Sequence, residues 1–264
     1  AAWAKRTYIM TWDGNGGDPS SCTTRVRHGS RVSAPSVRFV RAGYSFEGWA
    51  SSPDAREPLG SLGTASGDAT YYAVWSPIVY AISYDLAGGS ASGNPSSYTV
   101  ESAAFTLKNP TRTGYTFAGW SGTGLSGSAN KSVTVPKGST GNRSYTTHWA
   151  VIAYTVTWKA NGGDWSGSTA DKTTRVTYGS ATTAPVSPAR TGYTFKGWST
   201  TSSGSVTALP SSTTKAATYY AVWALNSYTM TWNPNGGNWS GSTASKTTTV
   251  SHGSAISAYA TAPI

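Results

Sequence analysis

One aromatic pattern recurs along this 264-residue chain at a fixed spacing. Each copy ends in a segment rich in tyrosine and tryptophan, and the last tryptophans of these segments, Trp75, Trp149 and Trp223, are 74 residues apart. A second motif, Gly-Tyr-x-Phe-x-Gly-Trp, precedes each of them, at residues 43–49, 114–120 and 192–198. Self-similarity at a fixed period is the signature of a repeat architecture. The chain is therefore predicted to fold as a string of small units rather than as one large domain.

The spacing of the motifs sets the predicted domain boundaries. The predicted domains are residues 1–4 as the remnant of a preceding repeat, 5–76, 77–150 and 151–224 as three complete repeats, and 225–264 as a truncated fourth. The fourth repeat lacks the Gly-Tyr-x-Phe-x-Gly-Trp motif and the closing segment, as expected for an arbitrary fragment. We therefore expect residues 225–264 to be partly ordered at most, or held only by packing on the third repeat, with Trp232 less buried than its counterparts.

A third motif, at the start of each repeat, predicts a strand followed by a tight turn. In the third copy Tyr154, Val156 and Trp158 alternate with two threonines, and this period of two indicates a half-buried strand. An Asn-Gly-Gly sequence follows and supplies residues that tolerate positive φ. The only helical feature that the sequence suggests is a single turn at Ser52–Asp54. The predicted fold class is mainly β.

Composition indicates a core made of few, large side chains. The chain has 12 tryptophans and 16 tyrosines but only 11% charged residues, which argues against disorder. In the third repeat we expect Trp198 and Trp223 to be largely buried, together with Tyr154 and Phe195. No apolar run approaches the roughly 20 residues of a membrane-spanning helix, and no signal peptide is visible at the first residue.

Short linkers join the repeats. Four residues separate each closing tryptophan from the first tyrosine of the next repeat's opening motif, at Ser76–Val79, Ala150–Ala153 and Ala224–Ser227. Four residues leave little freedom, so neighbouring repeats are expected to adopt a restricted orientation. A string of such units is predicted to form an extended rod.

The combination of motifs resembles the Listeria–Bacteroides repeat family, also called the internalin-type B-repeat. The resemblance rests on four motifs: Tyr-x-Val-x-Trp, Asn-Gly-Gly, Gly-Tyr-x-Phe-x-Gly-Trp and Tyr-Ala-Val-Trp. It covers nearly the whole chain, as three full copies and a half. The resemblance implies small β-grasp-like domains in secreted or wall-anchored bacterial proteins, and it brings no catalytic residues. The second repeat departs from the pattern, because Tyr84 replaces a tryptophan and Thr146, Thr147 and His148 replace Tyr-Ala-Val.

Residues capable of catalysis do not recur from copy to copy. His28 and His252 occupy the same position, where the third repeat has Tyr178, which indicates a turn or surface role. His148 is expected on a strand surface, and Cys22 is expected to be a free thiol because it is the single cysteine. No pair of carboxylates recurs, as glycoside hydrolysis would require. The sequence therefore predicts no enzyme and no catalytic, cofactor-binding or metal-binding residue.

Two tryptophans remain as candidate ligand contacts. Trp165 and Trp239 follow the Gly-Gly turn in the third and fourth repeats and have no counterpart in the first two. Aromatic rings in turns can form platforms for sugars, or they can fold back over a small core. The sequence leaves both roles open.

The sequence favours a spacer, stalk or adhesion segment of an extracellular bacterial protein, at the cell surface or in the cell wall. The alternative is a module that binds glycans or wall polymers through exposed aromatic rings. The net charge of +10 fits a solvated surface or a binding patch. Nucleic acid is not an expected partner, because basic and aromatic residues are not interleaved. A protein or a glycan is the expected partner.

Overall fold

The structure, a computed structural model, describes residues 6–264, so the remnant predicted at residues 1–4 lies outside the described residues. The chain forms two compact units, residues up to 150 and residues 151–264. All regular secondary structure between residues 6 and 264 is β-strand, which confirms the mainly β class. The helical turn suggested at Ser52–Asp54 is a simple turn instead, closed by a hydrogen bond from Ala55 N to Ser52 O (3.3 Å).

The first repeat forms a four-stranded mixed sheet. Its strands are β1 (Thr7–Asp13), β2 (Ser21–Arg27), β3 (Tyr44–Ala50) and β4 (Ala69–Pro77). The spatial order is β2-β1-β4-β3, with the first and last strands parallel at the centre and antiparallel strands on both sides. The two ends of the repeat therefore meet in the middle of its sheet.

The second and third repeats have sheets with a corresponding order. The second repeat contains β5 (Tyr80–Asp85), β6 (Ser97–Tyr98), β7 (Phe105–Thr106), β8 (Tyr115–Gly122), β9 (Thr134–Val135) and β10 (Arg143–Val151). The third contains β11 (Ala153–Lys159), β12 (Lys172–Thr177), β13 (Tyr193–Ser199) and β14 (Ala217–Leu225). The sheet orders are β6-β5-β10-β8 and β12-β11-β14-β13, and β7 pairs with β9 in a small separate sheet. Each four-stranded sheet draws its strands from one repeat.

A central tryptophan organises the core of the first and third repeats. Trp158 is fully buried, with its ring 5.1 Å from the stacked ring of Tyr219 and 4.8 Å from the edge-on ring of Trp198. Its Nε1 donates a 3.0 Å hydrogen bond to Thr174 Oγ1 on the neighbouring strand. Trp12 has the same surroundings in the first repeat. In the second repeat Tyr84 takes this position, and its hydroxyl donates to Pro95 O (2.8 Å).

The core predicted for the third repeat is partly correct. Trp198 is buried, but Trp223, Tyr154 and Phe195 are only half-buried. A unit of about 74 residues encloses a modest fraction of its surface, so it cannot cover every large ring. The rings of Phe195 and Trp223 instead pack edge-on against each other, with centroids 5.7 Å apart.

The Asn-Gly-Gly turn imposes a different requirement at each of its positions. In the first repeat Asn15 and Gly16 both have positive φ, 45° and 85°, as a tight hairpin turn demands. Gly17 is required by packing instead, since a Cβ there would lie 2.6 Å from Cζ2 of Trp75. Nε1 of Trp75 donates to Gly14 O at 2.8 Å, so the closing tryptophan is bonded to the turn that it covers.

The fourth repeat is a two-stranded hairpin. It consists of β15 (Ser227–Trp232) and β16 (Lys246–Ser251), paired antiparallel. Trp232 is half-buried, whereas Trp12 and Trp158 are fully buried, because within residues 6–264 no closing strand and no stacked tyrosine cover it. The residues that follow fold back, and Asn238 and Ile264 exchange two backbone hydrogen bonds of 2.9 Å.

Replacing Trp198 by alanine is expected to unfold the third repeat locally. Truncation of a large buried aromatic ring costs about 3–5 kcal/mol, and Trp198 is one of the two rings packed on Trp158. Amide hydrogen exchange should show lost protection in β11–β14 and unchanged protection in β1–β4. Lys196→Ala, on the exposed face of the same strand, is the control. Unchanged protection of the third repeat in Trp198→Ala would contradict the assigned core.

Gly17→Ala is expected to destabilise the first repeat by about 1–3 kcal/mol, the usual cost of overpacking. The added methyl group would collide with the Trp75 ring and push the closing strand off the turn. Gly60→Ala is the matched control, because the space around Gly60 is open, and its effect should stay within about 0.5 kcal/mol. Denaturant dependence of exchange in the first repeat measures both, and equal effects would refute the packing role of Gly17.

Candidate functional site

A tight reverse turn positions Trp165 in the third repeat. Trp165 and Ser168 exchange backbone hydrogen bonds of 2.8 and 3.2 Å. Between them Ser166 and Gly167 have positive φ, and Asp164 Oδ1 accepts a 2.7 Å hydrogen bond from Gly167 N. This local network directs the indole back toward the sheet.

The ring of Trp165 lies inside the protein. It is 8% exposed and belongs to the same buried cluster as Val156 and Trp158. Its Nε1 donates to Val186 O at 3.0 Å, and the ammonium group of Lys172 lies 5.3 Å from the ring centroid. Packing therefore accounts for the whole ring, and a ligand contact at Trp165 stays a prediction.

Trp239 repeats this arrangement in the fourth repeat with one difference. Its ring is 6% exposed and packs edge-on against Tyr259, with centroids 5.0 Å apart. The ammonium group of Lys246 lies 6.0 Å from the centroid of this ring, in the place that Lys172 takes at 5.3 Å from Trp165. Its Nε1, however, is buried without a hydrogen-bond partner among the described residues. The two candidate tryptophans thus lie in separate small cores rather than in one shared site.

The histidines occupy three different surroundings. The exposed ring of His28 lies edge-on to Tyr8 at 5.9 Å, which fits the surface role predicted for it. His252 packs near Tyr228 and against Gly192 of the preceding repeat. His148 is half-buried rather than on the strand surface, because its Nε2 forms a 2.7 Å hydrogen bond with Ser121 Oγ on β8.

The Ser121–His148 pair has the donor and acceptor types of a nucleophile and its base, which the sequence reading missed. A working pair needs a third group that orients the imidazole. Within residues 6–264 no side chain hydrogen-bonds to Nδ1 of His148. The other repeats carry valine at the position of the histidine, so this pair links two strands of one repeat.

Other reactive groups are dispersed across the described residues. Cys22 lies on β2 opposite Trp12, and burial raises the pKa of its thiol, which lowers the reactive thiolate fraction. No group of three or more histidine, cysteine, aspartate or glutamate side chains gathers anywhere in residues 6–264. One ion pair joins Lys159 to Asp171 at 2.6 Å, and both side chains are about 40% exposed.

An arginine that recurs in each full repeat was missed by the sequence reading. The guanidinium carbons of Arg41, Arg112 and Arg190 lie 4.0, 3.9 and 3.8 Å from the ring centroids of the tyrosines three residues later. Each guanidinium also lies over the first glycine of the Gly-Gly turn. This cation–π contact fastens the turn to the start of the third strand. The recurring sequence Arg-x-Gly-Tyr was the signal for it.

Comparison with known proteins identifies the family to which the repeats belong and two proteins that are similar to the chain. The model of the Listeria-Bacteroides repeat domain matches residues 8–74, 80–144 and 154–222. Two proteins of Evansella cellulosilytica are similar to the chain: one named "Putative Gly-rich membrane protein", 28% identical over 258 residues, and one named "Putative membrane protein", 29% identical over 238 residues. These alignments cover 90% and 86% of this chain but only 28% and 34% of the relatives. No helix in residues 6–264 is long and apolar enough to cross a membrane.

Trp165→Ala is expected to destabilise the third repeat by about 3–5 kcal/mol, because the ring is buried and its indole N–H is bonded. Val186→Ala is the matched control, since it removes an exposed side chain and keeps the carbonyl that accepts the bond. Both are measured by hydrogen exchange across β11–β14. If Trp165→Ala leaves protection unchanged, the ring is not core and a role in ligand contact gains support.

Proposed function

Because this chain belongs to the Listeria–Bacteroides repeat family, we propose that it is a non-catalytic spacer or adhesion segment of a bacterial cell-surface protein. The segment acts by length and exposure, holding other parts of the protein away from the cell. The observation that carries this proposal is that the groups that recur in the repeats are engaged in folding. Closing tryptophans, central tryptophans, turn glycines and stacked arginines all contact their own repeat.

The joint between the first two repeats supports a spacer that resists bending. Ile78 N in the linker donates to Gly43 O at 2.9 Å. Gly43 leaves no room for a Cβ, which would lie 2.8 Å from Cβ of Val100 in the second repeat. Tyr44 Oη donates a 2.8 Å hydrogen bond to Glu101 Oε1, and this bond raises the pKa of Tyr44. The linker and both repeats therefore share one set of contacts.

The joint between the third repeat and the hairpin follows the same plan. Asn226 N in the linker donates to Gly192 O at 2.9 Å, and Asn226 O accepts from His252 N at 2.8 Å. Asn226 Oδ1 also accepts a 2.6 Å bond from Thr194 Oγ1. Asn226 is thus hydrogen-bonded to the third repeat on one side and to the hairpin on the other. The His252 ring lies where a side chain at Gly192 would be, so the hairpin and the third repeat are in direct contact.

We further infer that the repeat is β-grasp-like and that the three complete repeats predicted from the sequence, residues 5–76, 77–150 and 151–224, are its folding units. In support, the central parallel pair joins the first and last strands of each repeat, so a repeat is complete only when its closing strand is present. Each sheet is assembled from one repeat, and four-residue linkers restrict the angle between neighbours. A chain of such units is expected to be an extended rod.

The proposed location is the outside of the bacterial cell. The family resemblance implies secreted or wall-anchored proteins, and the two Evansella relatives are named as membrane proteins. A spacer is useful where another domain must be displayed beyond a wall or membrane surface. The partner at the end of such a spacer is a protein or a glycan.

Small-angle X-ray scattering of the chain is expected to show an elongated particle. A compact globule of 264 residues has a radius of gyration of about 18 Å, and a rod of repeats should exceed it clearly. A variant that joins residue 76 to residue 151 removes one repeat with its linker. Its maximum dimension should fall by the length of one repeat, because each copy adds reach.

The control keeps every repeat and loosens one joint by inserting ten Gly-Ser residues between Val79 and Tyr80. The insertion should broaden the distribution of interatomic distances that scattering gives. Circular dichroism should show that the repeats remain folded. A compact particle for the original chain would refute the spacer. Saturable binding on a glycan array, lost in a folded variant, would favour the glycan- or wall-polymer-binding alternative instead.

A further inference from the structure

The first repeat carries an open groove that its folding does not fill. The groove has a volume of about 760 Å³ and runs between the segment at residues 34–41 and the start of β3. Four of its apolar side chains, Val37, Val40, Phe46 and Ile78, are between 38% and 47% exposed. Single exposed apolar residues are ordinary, but a contiguous group of them marks an interaction surface.

Two arginines give this apolar groove a positive charge. Arg38 is exposed, and Arg41 lies over Tyr44 with its guanidinium carbon 4.0 Å from the ring centroid. Both line the groove, and neither forms an ion pair with a carboxylate in residues 6–264. Glu47, further along β3, lines a different groove beside Arg31. The unfilled surface is therefore apolar, with two arginines that form no ion pair among the described residues, and the carboxylate of Glu101 is hydrogen-bonded to Tyr44 in its lining.

Arg38 and Val40 distinguish the groove of the first repeat from the other copies, whereas the position of Val37 also holds an exposed valine, Val186, in the third repeat. Counting from the stacked arginine, the position of Arg38 holds Asn109 in the second repeat and Ser187 in the third. The position of Val40 holds threonine and alanine there. The phenylalanine equivalent to Phe46 is half-buried in both of the other repeats, whereas Phe46 is exposed. A difference in one copy, at positions that the fold leaves free, points to binding rather than to stability.

We propose that this groove binds an extended peptide in which an acidic side chain is flanked by aliphatic ones. The strand that lines the groove, β3, is an edge strand of its sheet, and edge strands accept extended peptides through backbone hydrogen bonds. The aliphatic walls would take alternate side chains of the peptide, and Arg38 would pair with its carboxylate. This goes beyond the spacer role, because it gives one repeat a partner of defined chemistry.

A peptide fits the groove better than a sugar does. The exposed wall is mostly aliphatic, whereas a polar sugar needs side-chain acceptors and donors around its hydroxyl groups. The cationic groups fit an acid, and the exposed branched side chains suit other aliphatic chains, while the aromatic rings of Phe39 and Trp49 in the lining are buried. An anionic polysaccharide would use the arginines and leave the valines and Ile78 uncovered.

Selection from a random dodecapeptide display library on the immobilised full chain tests the proposal. The Val40→Glu chain serves for counter-selection, since it places a negative charge in the groove at an exposed side chain. We expect enriched peptides to share an acidic residue beside aliphatic ones. Failure to enrich peptides over the Val40→Glu chain, or a consensus without an acid, would overturn the proposal.

Binding of one selected peptide to the full chain then identifies the contacts. Arg38→Gln should weaken binding about fivefold at low salt, as for an exposed ion pair, and the loss should shrink as salt rises. Val40→Glu should weaken it further. Arg56→Gln, which removes an exposed arginine outside the groove, is the control and should have no effect. Circular dichroism verifies that each variant is folded.

Two further results would count against the peptide groove. Equal loss of affinity in Arg38→Gln and Arg56→Gln would show that net charge alone drives binding. Competition by a galacturonic acid oligomer at lower concentration than the peptide would assign the site to an anionic polysaccharide. Neither result bears on the spacer proposal, because scattering measures particle length independently of what the groove binds.

Discussion

The contact between the closing tryptophan and the Gly-Gly turn is the interaction on which each repeat depends. It joins the last strand to the first turn, across about 60 residues of sequence, through a ring stacked on a glycine and an indole N–H bonded to a turn carbonyl. The parallel pairing of the same two strands lies directly beside it. Closing a long loop costs conformational entropy before any contact forms. The contacts of one large tryptophan ring, which packs on the turn and is hydrogen-bonded to it, offset part of that cost. The two motifs that make this contact are far apart in the sequence, but they are neighbours in the fold.

The second repeat shows which parts of this arrangement are free to vary. Ala87 replaces the turn asparagine and still adopts a φ of 45°, and Tyr84 replaces the central tryptophan. The second glycine, Gly89, and the closing Trp149 are both retained, and Nε1 of Trp149 donates to Leu86 O at 3.1 Å. Trp120 has become the fully buried ring in place of the central residue. The core is therefore repacked around another aromatic side chain in this repeat, whereas the junction of turn and closing strand is the same in all three.

Sequence patterns predicted the strands and turns well because these depend on local chemistry. Alternation identified β1 and β11, and positive φ at Asn15 and Gly16 follows from the turn residues themselves. The pairing of first and last strands was beyond reach, since no local signal specifies a parallel partner so distant. Trp165 remained undecided for a related reason: whether a turn ring faces inward depends on Ser166 and Gly167 adopting positive φ and on a carbonyl at Val186. The stacking of Arg41 and its counterparts on tyrosine rings was not predicted, because such stacking leaves no mark in composition.

The segments of a repeat contribute unequally to its packing. Strands and the Gly-Gly turn carry the conserved packing, so a change there, as at Gly17, acts on stability before anything else. The segment before the stacked arginine differs in most of its side chains from copy to copy, although Val37 and Val186 occupy equivalent positions. In the first repeat this segment supplies Val37, Arg38 and Val40 to an open groove, while the same stretch in the third supplies Val186 O to a buried indole. A repeated scaffold with one free segment per copy can therefore extend a protein and still give individual copies distinct surfaces.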